Sequence, residues 1–189
     1  WLNTKELVKS VLSSEQRCAA SAKAQALLDK AISTFENTSI PGTATVGIVG
    51  AGFAGLLAAC RLHDTGEQSF AILEKTSVVG GVWRHHANAF SRVNSSEPSY
   101  RLPVVSPQTN SNHSHHSEII GDVLRLVEQH GLARRIHTHS EVTRVCRDDK
   151  GWAVSVVWRR QPLRLRCRMA VLCTNRRLGR PREMRVRGE

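Results

Sequence analysis

The sequence predicts an α/β fold: a parallel sheet with helices on one side and an antiparallel β-meander on the other, preceded by an N-terminal helical appendage. Three observations carry this. A glycine-rich turn, Gly50-Ala51-Gly52-Phe53-Ala54-Gly55, separates an apolar strand-like run, Thr45 to Val49, from a helix-like run reaching about His63, and a second apolar run, Phe70 to Leu73, follows. From Thr143 to Cys167 apolar residues alternate with a period of two, the mark of half-buried strands. Before the turn, residues recur at helical spacing instead. The expected division is an appendage over 1–42 and a nucleotide-binding type of domain over 43–189.

The elements follow in order. Residues 1–37 read as helix in two pieces, because Ser13 and Gln16 have the spacing of a capping box. Ala20, Ala24, Leu27, Leu28, Ala31 and Phe35 share one face, which must dock on its own domain or on a partner protein. The turn Asn37 to Gly42 ends the appendage. After the βαβ unit, residues 84–117 are rich in Asn, Ser, Pro and His and read as loop. Ser117 then caps a helix with Ile119, Ile120, Val123, Leu124 and Val127 on one face, and Gly131 is placed to end it. A strand His139 to Cys146, a hairpin through Asp148-Asp149-Lys150-Gly151, and alternating runs Trp152 to Trp158 and Leu163 to Cys167 make the meander. Met169 to Cys173 reads as a last, buried strand.

Composition narrows the class. The chain has 189 residues, 40% of them hydrophobic, enough for a sizeable core. No window approaches the roughly 18 uninterrupted apolar residues of a membrane helix. Five cysteines without any Cys-x-x-Cys spacing argue against a zinc site and a disulfide framework and fit a reducing compartment. The chain opens on Trp1, which reads as a processed or trimmed start, so the compartment is not legible and an organelle is the alternative. Net charge is +11, concentrated beyond Glu141, where 13 arginines and 1 lysine face 5 carboxylates. Such a field favours anionic partners. Without aromatic interleaving or a nucleic-acid motif, an acidic protein or a membrane-peripheral surface is expected rather than nucleic acid.

Gly50, Gly52 and Gly55 form Gly-x-Gly-x-x-Gly between a strand and a helix, the context that gives this motif meaning. The first glycine permits the tight turn, the second lets a pyrophosphate approach the backbone, and the third lets helix and strand pack closely. Phosphates would meet the N–H groups and positive end of the helix starting near Phe53. Glu74 lies 19 residues beyond Gly55, at the end of the second strand, where an acid accepts hydrogen bonds from a ribose. The ligand expected here is FAD or NAD, not NADP.

The run Leu73 to Arg84, with its acid followed by Gly80-Gly81-Val82-Trp83, resembles the flavin-containing monooxygenases and the related Baeyer-Villiger and N-hydroxylating enzymes. The resemblance continues through Arg92-Val93-Asn94-Ser95-Ser96 and the later elements, from about Thr43 to the last residue. It implies FAD contacts from Gly50, Ala51, Gly52, Phe53, Ala54, Gly55, Glu74, Lys75, Val82 and Trp83. It also implies a catalytic role for Asn94, with Ser95 beside it at the flavin and nicotinamide, and passage of Val142 near the adenine. Two departures stand out. Where the family has a strand ending in Ala-Thr-Gly, Thr174 is kept but Asn175 replaces the glycine. After Arg177 to Glu189 no second glycine-rich unit follows, so NADPH has a site only in a further domain. The expected function is therefore the FAD-binding part of a flavin-dependent, NADPH-using monooxygenase, either the first part of a longer enzyme or a shortened, non-catalytic descendant. In the latter case it would be an accessory subunit of a larger assembly, such as one at a photosynthetic or respiratory membrane, with FAD optional.

Other constellations have ordinary explanations. His113, His115 and His116 could converge on a transition metal, but a solvated loop is the expected reading, and no metal is assigned. Arg164, Arg166 and Arg168 alternate with Leu163, Leu165 and Cys167 and make an outer strand face. Cys60, Cys167 and Cys173 fall on faces expected to be buried.

Overall fold

The computed structural model describes residue 35 and residues 39–88, 90–95, 100, 102 and 110–174. Of the appendage only Phe35 and residues 39–42 are among the described residues, and Asn175 with the tail lies outside them. The elements are β1 (Thr43–Val49), α1 (Phe53–Asp64), β2 (Phe70–Leu73), α2 (Val82–His85), α3 (His116–Gln129), a 3-10 turn (Leu132–Arg135), β3 (Ile136–His137), β4 (Ser140–Asp148), β5 (Gly151–Trp158) and β6 (Gln161–Leu172).

One six-stranded sheet runs β3-β2-β1-β6-β5-β4. β1 pairs in parallel with β2 and with β6, and β2 with β3. β4, β5 and β6 pair antiparallel, with a register shift between Val142 and Arg144. β6 is long enough to serve both halves: its first residues pair with β5 and its later ones, Arg166 to Leu172, with β1. The meander and the parallel strands are thus hydrogen-bonded parts of one sheet, as well as opposite sides of one core.

The two faces of β2 show how. Phe70 and Ile72 join Val46, Ile48, Leu56, Ala59, Ile120, Val123 and Leu126 in the core on the helical side. Ala71 and Leu73 point the other way, into a second core with Val154, Val156, Leu165 and Cys167 of the meander. All four β2 residues are therefore buried, which explains why the run is apolar throughout and does not alternate. Phe35 is 2% exposed in the helical-side core, so one member of the appendage's apolar face is buried there.

Three sequence expectations need correction. α3 begins at His116 with His115 as its cap, not with Ser117. His139 is outside the strand, in a left-handed conformation with φ 54°, and β4 starts one residue later. Met169 to Cys173 is neither a separate strand nor buried: residues through Leu172 are the end of β6, and Met169 and Leu172 are exposed. Only β1 pairs with these residues, so their outward side chains are covered by no neighbouring strand among the described residues.

Cys60 and Cys167 are buried as expected, whereas Cys173 is half-buried. Burial, and secondarily the charge of Asp64, pushes the Cys60 thiol up to about 11; burial likewise raises Cys167. A thiol must ionise to react. Iodoacetamide at pH 8 is therefore expected to leave Cys60 and Cys167 unmodified in the native chain and to modify both after denaturation, read by peptide mass spectrometry. Rapid native labelling of Cys60 would contradict the packing of α1 on the sheet.

Candidate functional site

The site is built around the turn between β1 and α1. Gly50 has φ 100°, and a Cβ there would lie 2.9 Å from the Cys173 carbonyl oxygen and 3.3 Å from Thr174 Cγ2. The Gly50 N–H donates to Leu73 O at 2.8 Å, and Cys173 N–H to Val49 O at 2.9 Å, so the turn is pinned between β2 and the end of β6. A Cβ on Gly55 would sit 1.9 Å from Gly50 O. The first and third glycines are thus demanded by the protein's own packing.

Gly52 is different. Its backbone is extended, with φ −78° and ψ −174°, which any residue adopts. A Cβ there would meet nothing closer than Gly81 Cα, at 3.6 Å. Gly52 stands at the N-cap of α1 without a side-chain cap, and no acidic residue occupies the first turn. The first intrahelical bond is Leu56 N–H to Gly52 O, at 3.0 Å. Helix geometry leaves the N–H groups of Phe53, Ala54 and Gly55 without intrahelical partners, at the positive end of the helix.

Glu74 is 7% exposed, and its carboxylate is turned inward to the same turn. Oε2 accepts from the Ala51 N–H at 2.8 Å, while Oε1 accepts from the Thr76 N–H at 3.0 Å and lies 2.9 Å from the Thr76 hydroxyl. A carboxylate has about four acceptor positions, so Oε2 keeps one for an outside donor. The acid is therefore a strut of the glycine turn as well as a candidate ribose acceptor, a duty that spacing alone did not indicate. Thr76 Oγ1 is also 3.1 Å from His85 Nε2. Burial holds that imidazole below its ordinary pKa, with the charge of Glu74 pulling the other way.

The Gly80-Gly81 pair backs the turn directly. Gly80 N–H donates to Ala51 O at 3.0 Å, and a Cβ on Gly81 would lie 3.0 Å from Gly52 Cα. These glycines were legible as part of a motif, but not as the surface against which the first turn rests. Val82, which follows, is 44% exposed. Trp83 donates its indole N–H to Tyr100 Oη at 2.8 Å, and the Tyr100 ring stands 5.8 Å from the rings of both Trp83 and Phe53. Tyr100 thereby links the tryptophan to the first residue of α1, although nothing in its loop sequence marked it.

The remaining candidates are more scattered. Ala51 is buried, Phe53 half-buried and Ala54 exposed at the helix start. Lys75 is exposed, and Thr174 flanks Gly50. Val142 is packed against the meander-side core. Asn94 is exposed and Ser95 half-buried, on the segment following Val93, whose N–H bonds to Ser114 O at 2.9 Å. His115, expected to be solvated, is 2% exposed: its ring accepts from Ser117 N–H at 3.3 Å, and Glu118 returns a bond from the His115 N–H at 2.7 Å. It is one half of a capping box, an unusual use of imidazole. Among the described residues no group of three or more His, Cys, Asp or Glu is arranged to hold a metal ion, and no helix is long and apolar enough to cross a membrane.

A family profile describing an NAD(P)-binding Rossmann-like domain matches residues 48–118, the span that contains the turn, Glu74 and the double glycine. Ketocytochalasin monooxygenase of Aspergillus clavatus is 36% identical over 107 residues, 54% of this chain and 16% of that one. An FAD-binding monooxygenase of Aspergillus niger is 35% identical over 118 residues, 60% of this chain and 19% of that one. Residues 48–118 thus match a Rossmann-like domain, and the chain is similar to monooxygenases. The fold agrees: polycyclic ketone monooxygenase from Thermothelomyces thermophila superposes with a TM-score of 0.64 over 75% of this chain and 25% of that one, at 20% identity. The matches thus span less than a fifth of the length of these two curated relatives.

Proposed function

We propose that this domain binds FAD at the Gly50–Gly55 turn and serves as the FAD-binding part of a flavin-dependent, NADPH-using monooxygenase acting on a small molecule. The observation that carries the reading is Gly52, a glycine that the fold does not require. Its neighbours at 50 and 55 are accounted for by contacts under 3 Å inside the protein, whereas a methyl group on Gly52 would meet only Gly81 Cα, at 3.6 Å. A glycine there makes sense if a ligand must reach the backbone, and the uncapped start of α1 beside it offers N–H donors to a pyrophosphate.

In this reading the N–H groups at the start of α1 hold the phosphates. The free acceptor position of Glu74 Oε2 takes a ribose hydroxyl, and its negative charge disfavours a ribose bearing a 2′-phosphate. Lys75, Val82 and Trp83 border the cofactor, Val142 lies toward the adenine, and Asn94 and Ser95 serve at the reacting ring. FAD when bound supplies the redox chemistry of oxygen transfer. The relatives named as monooxygenases, one of them as FAD-binding, support this assignment.

Gly52→Ala separates ligand from fold. The variant is expected to melt within about 2 °C of the parent, because the new methyl group meets only ordinary contact distances. FAD affinity, followed by flavin fluorescence on titration, is expected to fall by about tenfold or more, equivalent to roughly 1.4 kcal/mol. Unchanged FAD affinity in Gly52→Ala would overturn the proposed location. A parent chain that takes up no FAD would overturn the cofactor and leave the accessory-subunit reading in its place.

A further inference from the structure

Behind Glu74 lies an open depression of about 570 Å³ lined by Lys75, His139, Glu141, Val157, Arg159 and Arg160. We propose that it is a second, anion-binding site, which takes a phosphomonoester or a short polyphosphate apart from the dinucleotide turn. Lys75, which borders the proposed cofactor, is shared between the two sites; the other lining residues belong to this depression and not to the proposed FAD site.

The backbone, not chance convergence of side chains, assembles the site. Glu74 and Thr76, on either side of Lys75, accept from Ser140 N–H at 2.8 Å and His139 N–H at 3.0 Å. The Arg159 N–H in turn donates to His139 O at 3.2 Å. The end of β2 and the β5–β6 hairpin tip are therefore fixed to each other through one residue. Three permanent cations and an imidazole line the depression together with Val157, and Glu141 is the one carboxylate in that lining. Two other arginines of the meander differ: Arg166 pairs with Asp148 at 2.9 Å, and Arg164 approaches it at 3.8 Å. Among the described residues no carboxylate ion-pairs with Lys75 or Arg160.

The hairpin tip supplies a second line of argument. Trp158 pairs with Gln161, leaving Arg159 and Arg160 as a two-residue loop, with φ 48° and 71°. That turn geometry strongly favours Asn-Gly, since other side chains are strained at positive φ. Here it holds two arginines, and His139 beside them is left-handed as well, with φ 54°. Three strained non-glycine residues at one depression put charge where backbone economy would put none, the pattern of sites kept for binding. Arg159 is further oriented by its guanidinium, 5.1 Å above the Trp158 ring.

The test is a pair of replacements at the loop. Arg159→Asn with Arg160→Gly gives the turn its preferred residues, so the melting temperature should rise or hold while anion binding is lost. Arg160→Asn alone, which tolerates the left-handed backbone, is the milder variant. Inorganic tripolyphosphate is titrated into the full chain by calorimetry, and flotation with phosphatidylcholine vesicles carrying phosphatidylinositol monophosphate tests whether the phosphate belongs to a lipid headgroup. Binding to either probe that falls by about tenfold or more in both loop variants, yet persists in Gly52→Ala and Arg164→Gln, supports the site. Binding to neither probe overturns it. So does an equal loss in Arg164→Gln, which would show only the field of a basic surface, or a loss confined to Gly52→Ala, which would place the anion at the glycine turn. FAD affinity is expected to be unchanged in Arg160→Asn.

Discussion

Gly55→Ala is expected to destabilise the chain by about 3 kcal/mol or more, beyond the usual range for a single added methyl group. The methyl carbon would lie 1.9 Å from Gly50 O, 3.0 Å from Gly50 C and 3.4 Å from Ile48 Cγ2. Two of these three atoms are backbone, so no rotamer change relieves the overlap. Relief requires α1 to withdraw from the turn, and α1 is the element that buries Leu56, Ala59 and Cys60 against the sheet. Gly50 cannot yield either, because its N–H bond to Leu73 O and its approach to Cys173 O tie it to strands on both sides. Thermal unfolding followed by circular dichroism should show a fall of roughly 10 °C, taking about 2–4 °C per kcal/mol for a chain of this size. A Gly55→Ala variant that melts with the parent would mean that the helix does not sit on the turn as described.

The contrast with Gly52→Ala shows what a motif conceals. The sequence gives three glycines equal weight, yet two answer to the protein's own atoms and one does not. Spacing alone was enough to place β1, α1, β2 and Glu74, because each depends on neighbours within one βαβ unit. Legibility failed where partners are distant in sequence. Met169 and Leu172 read as core because they are apolar, but the strand beside them ends too early to cover them, which no local pattern records. Gly80 and Gly81 were visible as a motif, whereas their fit against Ala51 and Gly52 belongs to tertiary structure. His115 was missed as a cap because imidazole lies outside the usual capping set of Ser, Thr, Asp and Asn. Ser117, two residues on, fits that set and drew the assignment. Tyr100 sits in a segment without periodicity, so only the ring geometry shows that it joins Trp83 to Phe53.

Glu74→Gln should be nearly as damaging to the turn as Glu74→Ala, although glutamine is close to isosteric. Both oxygens of the carboxylate face donors: Oε2 faces the Ala51 N–H, and Oε1 faces the Thr76 N–H and hydroxyl. A glutamine must present its NH₂ group to one side. Aimed at Ala51, it sets donor against donor in a buried place; aimed at Thr76, it does the same to that backbone N–H. The Thr76 hydroxyl can escape, since Val78 O lies 2.9 Å away as an alternative acceptor, but neither backbone group can turn. Leaving one buried donor unsatisfied costs about 1–3 kcal/mol, to which the loss of charge-assisted bonding adds. A fall in melting temperature of roughly 5 °C or more is therefore expected for Glu74→Gln without any ligand present. If Glu74 served only a ribose, Glu74→Gln would weaken the ligand and leave the melting temperature of the ligand-free chain where it was. Measured side by side, the two quantities assign the carboxylate to the turn, to the ribose, or to both, and the inward bonds to Ala51 and Thr76 predict that both will move.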